Sequence, residues 1–301
     1  MNATFPVDQA LERIESGAVL THAEVLALAD SPDILAAGML ADAQRRRRHG
    51  SSVTYLRVAS CGFDALATPG PAAAGGSELR LTGAPASLAQ ALEGLGTARV
   101  LAGARTLAAL TWADVMRYAE ADAGVDAVLR RLRACGLDAL AEVALDGVAI
   151  VDGVLGSLAA AGFDQVRLHV ARPAPAPERL ALWFRVAEAQ AAAGCAASVN
   201  PLPTVVSSFK PTTGYDDVKA VALARLAMPG VAHVQVDWGK YGPKLAQVAL
   251  TFGADDVDNV SASDDAPLGR RRAPLEEIRR NIEAAGFAPV ERPGRFAAAA
   301  G

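Results

Sequence analysis

The sequence has 301 residues, of which 51% are hydrophobic and 21% are charged, and its formal net charge is −4. A chain of this size can bury a large core, and its balance of 29 basic and 33 acidic residues gives no reason to expect nucleic acid or an anionic membrane as the main partner. The acidic N-terminus does not resemble a signal peptide, and no apolar run reaches the roughly 18–20 residues of a membrane span.

The first fifty residues are predicted to be helical. Thr21 and Glu24 have the spacing of a capping box, which satisfies free N–H groups at a helix start. Ser31 and Pro32 are expected to begin the next helix, and Gly50 to end it. We therefore expect residues 1–50 to form a helical segment packed on a single larger domain, residues 51–301.

From residue 51 onward, predicted strands alternate with predicted helices. The strands are expected at residues 53–58, 78–81, 98–102, 165–170, 196–199, 231–236 and 287–290. The helices are expected at residues 87–95, 111–123, 125–134, 151–161, 178–193, 217–228, 243–252 and 274–285, with a polar loop at 201–215 and an acidic turn at 255–259. This alternation predicts an α/β fold with a parallel sheet, and we expect a (β/α) TIM-like barrel, either complete or shortened.

The segment from Gly230 to Asn259 is the most informative part of the chain. Its apolar strand ends in the polar group Asp237-Trp238-Gly239-Lys240, and a helix follows directly. In a parallel barrel, side chains that follow a strand in this way face the ligand at the strand C-termini.

Four motifs in this region resemble one enzyme family. They are TGYDDVK at 213–219, ALARL at 222–226, KLAQVAL at 244–250 and FGADD at 252–256. Together with weaker upstream segments, they are similar to the radical S-adenosylmethionine enzymes of the futalosine route to menaquinone, with aminofutalosine synthase nearest, and to a related deazaflavin-cofactor synthase subunit. The resemblance implies a barrel fold and a pocket for a nucleoside or an aromatic carboxylate.

The resemblance also implies a CxxxCxxC loop after the first strand, whose thiolates hold a [4Fe–4S] cluster that binds S-adenosylmethionine. At this place the sequence has Cys61, with Arg57 and Asp64 where the other two cysteines would stand. The remaining cysteines, Cys135 and Cys195, are distant in sequence and are expected to be buried thiols in a reducing cytoplasm. We therefore expect no cofactor and no metal site, do not expect a [4Fe–4S] cluster, and keep S-adenosylmethionine as a possible ligand.

Several polar residues are candidates for the site, and each also has an ordinary structural explanation. Asp237, Lys240 and His169 are the acid–base candidates. Candidate ligand contacts are Trp238, Gln247, Asp255, Asp256 and Lys210. The structural alternatives are a surface ion pair beside a packed Trp, a half-exposed strand histidine, a hydrogen-bonded buried Gln, aspartates that cap a turn, and a solvated loop lysine.

The first functional hypothesis is a cluster-free homologue of the futalosine-route enzymes that binds a nucleoside or an aromatic carboxylate without radical chemistry. The second is a non-radical enzyme acting on a futalosine-type intermediate, and the third is a partner subunit of an active paralogue. A further alternative is an active enzyme of the aminofutalosine synthase type. The expected partner is a small molecule, with a homo-oligomer or a paralogous enzyme also open.

Overall fold

The computed structural model describes residues 5–121, 124–148, 150–205, 212–264 and 274–296. Its strands are β1 (Ser52–Gly62), β2 (Glu78–Thr82), β3 (Thr106–Thr111), β4 (Ala139–Ala144), β5 (Val166–Val170), β6 (Ala196–Pro203), β7 (His233–Asp237), β8 (Asp256–Ser261) and β9 (Ala288–Glu291). Its helices are α1 (Val7–Glu15), α2 (His22–Asp30), α3 (Ile34–His49), α4 (Leu88–Ala102), α5 (Trp112–Ala121), α6 (Val125–Ala134), α7 (Val151–Ala160), α8 (Ala176–Ala193), α9 (Gly214–Ala227), α10 (Trp238–Thr251) and α11 (Pro274–Ala284).

Strand β1 closes the sheet into a barrel. All described strand pairs are parallel, and β1 pairs with β8 on one side and, through Val58–Gly62, with β2 on the other. The first half of β1 also pairs with β9. Strand β9 therefore lies on the same side of β1 as β2, but nearer to the N-terminal end of β1. The prediction of a TIM-like barrel is confirmed, and the eight strands β1–β8 form a complete one.

Local capping interactions explain where several helices begin. Thr21 and Glu24 form the predicted capping box at the start of α2. The side chain of Asp33, rather than Ser31, accepts hydrogen bonds from the N–H groups of Leu35 and Ala36 and so starts α3. Carboxylates in these positions satisfy N–H groups that have no partner within the helix.

The N-terminal helices and the barrel share one apolar core. Helix α3 packs on α9, helix α2 packs on α8 and α9, and the buried cluster extends from Ala10 in α1 to Phe287 next to β9. The division of the chain at residue 50 into a segment and a domain stays a prediction. No helix in the described part of the chain is long and apolar enough to cross a membrane.

Two sequence-based assignments are wrong, and three strands, β3, β4 and β8, were not predicted. Residues 98–102 form the end of α4 rather than a strand. The prediction failed because a short apolar run shows no periodicity by which a strand can be distinguished from a helix. The acidic residues 255–259 belong largely to β8 rather than to a turn. Strands β3 and β4 have short apolar sequences rich in alanine, which is a poor strand former.

Candidate functional site at the mouth of the barrel

The inside of the barrel is filled by ion pairs between strands. Near the start of β8, Arg292 donates hydrogen bonds of 2.6 and 2.9 Å to the carboxylate of Asp256, and Gln235 donates another of 2.6 Å. Thr54 of β1 donates to the same carboxylate. Asp256 is fully buried, so these donors replace the water that its charge would otherwise require.

A second layer of charges lies further along the strands. Arg80 donates to both carboxylate oxygens of Asp258, at 2.9 and 3.1 Å, and to Glu78 at 2.8 Å. Arg167 of β5 reaches across to Glu78, with one hydrogen bond of 2.9 Å and a second, shorter one. Burial acts to raise the pKa of Asp258, but Arg80 and Arg167 outweigh it and hold that pKa below its usual range. The charges of this layer therefore compensate one another, and the layer forms the floor of the barrel mouth.

His169 lies on the same face of β5 as Arg167, one pleat nearer the strand C-terminus. Its Nδ1 is 3.1 Å from the carbonyl oxygen of Arg167, which fits an Nδ1–H donor and leaves Nε2 as an acceptor. Nε2 has no hydrogen-bond partner among the described residues. Burial lowers the pKa of His169 to about 4, and Arg80 contributes while Asp258 opposes. A neutral imidazole with a free acceptor thus sits above the ion-paired floor.

Asp237, at the end of β7, lies two strands away from His169 around the barrel. Its carboxylate accepts hydrogen bonds from the backbone N–H of Lys240 at 2.9 Å and from the Asn259 side chain at 3.1 Å. Burial raises the pKa of Asp237, and the negative charge of Asp258 adds to that effect while Asn259 opposes it. Asp237 caps α10 and is at the same time an acid–base candidate at the barrel mouth.

Two neighbours of Asp237 were also predicted as site residues. The ammonium group of Lys240 donates to the backbone carbonyl of Thr204, at the end of β6. Trp238 is half-buried and packs against the core. These contacts join the β6 and β7 sides of the mouth, and the ligand-binding roles of both residues stay predictions.

A cavity of about 1040 Å³ opens at the ends of β3, β4 and β5. Its polar lining includes Thr111, Glu142, Asp146 and Arg172, and its apolar lining includes Trp112, Met116 and Ile150. Ala144, which also lines it, is the register partner of His169 on the neighbouring strand β5, although the His169 side chain is not itself part of the lining. The sequence did not indicate Glu142 or Asp146, because β4 itself was not predicted.

Two residues near the strand ends have unusual backbone conformations. Leu110 near the end of β3 has φ of 60°, and Asn259 in β8 has φ of 62°. Side chains other than glycine rarely adopt this region, and such residues occur frequently at functional sites. In the described part of the chain these are the non-glycine residues with positive φ, and both lie toward the C-terminal ends of their strands.

The remaining predicted site residues do not converge on the mouth. Asp255 precedes β8 at the N-terminal end of the barrel, where it pairs with Arg225 and lies 2.6 Å from Nδ1 of His233. Asp256 lies deep in the lumen in its pair with Arg292. Gln247 is in α10, beyond the kink at Gly242 that divides this helix, and so lies away from the end of β7. Lys210 lies outside the described residues.

His49, His233 and Asp255 place their ligand atoms within 4.8 Å of one another. They are the group among the described residues with the spacing of a metal site. The carboxylate of Asp255 also binds Arg225, whose guanidinium supplies the positive charge that a cation would provide. A hydrogen-bonded cluster accounts for these contacts, and the expected absence of a metal stays a prediction.

The three cysteines of the sequence do not come together. Cys61 is close to the C-terminal end of β1 but is buried in the apolar core, and burial raises its thiol pKa. Cys195 directly precedes β6, and burial raises its pKa to about 11. Cys135 caps the end of α6, before β4 begins. Cys61 and the other two therefore lie at opposite ends of the barrel, and the three thiols do not fit the ligand set of a [4Fe–4S] cluster.

Comparison with known proteins relates the C-terminal region to one family. Residues 201–299 match the CofH/MqnC C-terminal region. The chain is 39% identical over 90 residues to the 5-amino-6-(D-ribitylamino)uracil–L-tyrosine 4-hydroxyphenyl transferase of Archaeoglobus fulgidus, covering 28% of this chain and 26% of that protein. It is 37% identical over 105 residues to aminodeoxyfutalosine synthase of Thermus thermophilus, covering 32% and 27%. The matches thus span about a quarter of these curated relatives.

Solved structures share the fold over almost the whole chain. Methylornithine synthase superposes with a TM-score of 0.64, covering 93% of this chain and 97% of that one at 12% identity. The [FeFe]-hydrogenase maturase HydG superposes with a TM-score of 0.65, covering 95% and 76% at 13% identity. At such identities the likeness establishes the barrel fold.

The expectation that the protein uses no cofactor is wrong. The family matched by the C-terminal region and the neighbours in fold are radical S-adenosylmethionine enzymes, which use that cofactor with a [4Fe–4S] cluster. The three thiols of this chain do not provide the ligands, so no step below is assigned to a cluster. The loss of radical chemistry stays a prediction.

Proposed function

This chain is related through its C-terminal third to the futalosine-pathway radical S-adenosylmethionine family, and from that premise we propose that its barrel mouth binds a nucleoside-like small molecule. The names of the relatives contain a ribityl-substituted uracil and a futalosine. Both molecules combine a heterocycle with several hydroxyl groups. A ligand of that class needs a cavity with both apolar surface and scattered hydrogen-bonding groups.

The cavity beside His169 is the observation that carries this proposal. Its volume of about 1040 Å³ is suited to a ligand the size of a nucleoside. Trp112 and Met116 offer apolar surface to a heterocycle, while Glu142 and Arg172 offer hydrogen bonds to hydroxyl groups. We further propose that the neutral Nε2 of His169, on the strand next to Ala144, accepts a hydrogen bond from the ligand. The floor beneath it is already charge-compensated, so a neutral ligand suits the site better than a charged one.

Calorimetric titration with adenosine and futalosine tests the proposal. We expect both nucleosides to bind in the titration. In a separate thermal unfolding experiment they should raise the melting temperature of the protein, since a ligand that binds only the folded state stabilises it. His169→Leu removes the acceptor and is expected to weaken adenosine binding roughly threefold to tenfold. His22→Asn, at an exposed histidine of α2, is the matched control and should bind like the wild type. Absence of binding by either nucleoside would overturn the proposal.

A second candidate function is acid–base catalysis at the same mouth. His169 and Asp237 share Arg80 and Asp258 as electrostatic neighbours, and their pKa values are shifted towards each other. Groups tuned in this way are suited to exchange protons with a bound substrate. Turnover of a futalosine-type intermediate that is lost in Asp237→Asn, with substrate binding retained, would support it.

A further inference from the structure

A groove between outer helices contains an arginine whose guanidinium makes no hydrogen bond within the described residues. The groove has a volume of about 380 Å³ and lies between the first turns of α8 and α9. Arg179 of α8 lines it and is 9% exposed. Among the described residues, no carboxylate or carbonyl accepts a hydrogen bond from its guanidinium, and its Nε is a buried donor without a partner. Every other arginine that is buried to this degree here has a hydrogen-bonded partner.

A second donor without a partner faces the same space. Trp183, one turn further along α8, also lines the groove and is 1% exposed, and its indole Nε1 has no acceptor. The guanidinium of Arg179 lies 5.9 Å from the centre of that ring. Burying polar groups without hydrogen bonds is costly, and native structures rarely leave two neighbouring donors in this state.

The beginning of α8 adds further donors. Pro175 is its N-cap residue and makes no side-chain capping bond, so the first free N–H groups of the helix have no capping acceptor from this residue. The start of α9 differs, because Thr213 and Asp216 form a capping box there. The groove thus combines the positive end of one long helix with a cation that makes no hydrogen bond within the described residues, which is a setting that favours an anion.

The surrounding charges indicate which anion fits. Lys219 lines the groove but donates to the carbonyls of Ala29 and Ser31, at 2.6 and 2.7 Å, so its ammonium is already engaged. Asp216 and Asp217 stand on the α9 side and would repel a dianion such as phosphate. Apolar lining from Pro173, Trp183 and Leu223 suits the body of a small organic molecule.

We propose that this groove is a second ligand site, which binds the carboxylate of a small, apolar organic acid through Arg179. A planar guanidinium can bind a carboxylate with two parallel hydrogen bonds, and the indole N–H and the start of α8 can supply others. The site lies between helices of the outer layer, and it is separate from the nucleoside site proposed at the mouth.

Benzoate is the probe, with the uncharged benzamide and inorganic phosphate as comparisons. We expect benzoate to bind the wild-type protein in calorimetry and to raise its melting temperature, whereas benzamide and phosphate should bind at least tenfold more weakly. Arg179→Met should weaken benzoate binding roughly 10- to 100-fold, because it removes charge-assisted hydrogen bonds. Arg185→Met, at an exposed position of the same helix, is the control and should bind benzoate normally.

The stability of the free protein gives an independent measurement. Arg179→Met removes a cation that lies near the carboxylates of Asp216 and Asp217, so the melting temperature of the free variant is measured beside its binding and shows whether the variant still folds. Trp183→Phe keeps the ring but loses a donor, and it should weaken benzoate binding by a few fold. Benzoate binding that is equal in the wild type and in Arg179→Met would overturn the proposal, and so would stronger binding of phosphate than of benzoate.

Discussion

His169 and Asp237 show how the interior of one barrel shifts the pKa values of two residues in opposite directions. Burial disfavours the charged form of each group, so it lowers the pKa of the imidazole and raises that of the carboxyl. The Arg80–Asp258 pair acts on both groups: at His169, Asp258 opposes the lowering of the pKa while Arg80 adds to it, and at Asp237, Asp258 adds to the rise while Arg80 opposes it. Neither shift can be inferred from the neighbours of these residues in sequence, because Arg80 and Asp258 are far from both along the chain.

The low pKa of His169 predicts a specific pH dependence of stability. The unfolded chain binds a proton at His169 near pH 6.5, whereas the folded protein binds it near pH 4. The unfolded state therefore holds more protons in this window, and stability is present above it and falls as the pH drops from about 6.5 towards 4. The loss assigned to His169 between pH 7 and pH 5 is about 2 kcal/mol.

Urea unfolding of the wild type and of His169→Leu at pH 7 and pH 5 measures this effect. The variant should lose less stability than the wild type over this interval, by about 2 kcal/mol. The lowered pKa of His49 acts with the same sign in both proteins and cancels from the comparison. The His22→Asn control should keep the wild-type dependence, and equal losses in all three proteins would contradict the assignment.

At the scale of elements, the segment from Arg292 to Phe296 closes the N-terminal end of the lumen. The carbonyl of Gly294 accepts hydrogen bonds from Arg167 at 2.9 Å and from Arg292 at 3.2 Å. A Cβ atom at Gly294 would lie 2.3 Å from the side chain of Thr106, so only glycine fits between this segment and β3. Phe296 stacks on His233 at 3.9 Å between ring centres, which fixes the end of the segment.

Removing Arg292 from this segment should be costly. Arg292→Met leaves Asp256 as a buried charge with only neutral donors, and we expect a loss of roughly 3–5 kcal/mol in the free energy of unfolding. The double variant Asp256→Asn with Arg292→Met should recover most of that loss, because the uncompensated charge is gone. Urea unfolding measures both.

Arg295→Met is the matched control for the same segment. Its partner Asp164 is exposed, and exposed ion pairs contribute little, so the expected change is below about 1 kcal/mol. If Arg292→Met were as mild as this control, the lumen pair would not stabilise the fold in the way described.

At the scale of the whole molecule, the helices before the barrel are part of its core. Gly38 of α3 approaches the ring of Phe252 so closely that a Cβ atom would lie 2.8 Å from it. Gln44 of α3 donates to the carbonyl of Arg225 in α9 at 2.7 Å. Contacts as close as these couple α3 to the barrel, and a shared core makes separate unfolding of residues 1–50 unfavourable.

Hydrogen exchange under native conditions tests that coupling. The slowest amides of α3 should exchange with the same opening free energy as those of β1 and β8, because all of them require global unfolding. Earlier exchange throughout α3, at a clearly lower free energy, would instead identify residues 1–50 as a separate unit. Amides in the first turn of α1, which have no acceptor within the helix, serve as the internal reference for local opening.

The sequence predicted elements best where the signal was local. The capping box at Thr21, the helix that starts at Pro274 and the strand that ends at Asp237 each depend on a few adjacent residues, and all three were located correctly. The acidic residues of β8 were assigned to a turn because carboxylates usually face water. Arg80 and Arg292 reverse that preference for Asp258 and Asp256.

The sequence by itself determined the alternation of strands and helices, the parallel barrel and the family resemblance, because these depend on periodicity and on short motifs of adjacent residues along the chain. Tertiary structure alone decided that the barrel closes, that Cys61 and Cys195 lie at opposite ends, and that the buried Arg179 makes no hydrogen bond within the described residues. Each of these depends on distances between residues far apart in sequence. Burial and pairing of charge are properties of the folded arrangement, and composition does not contain them.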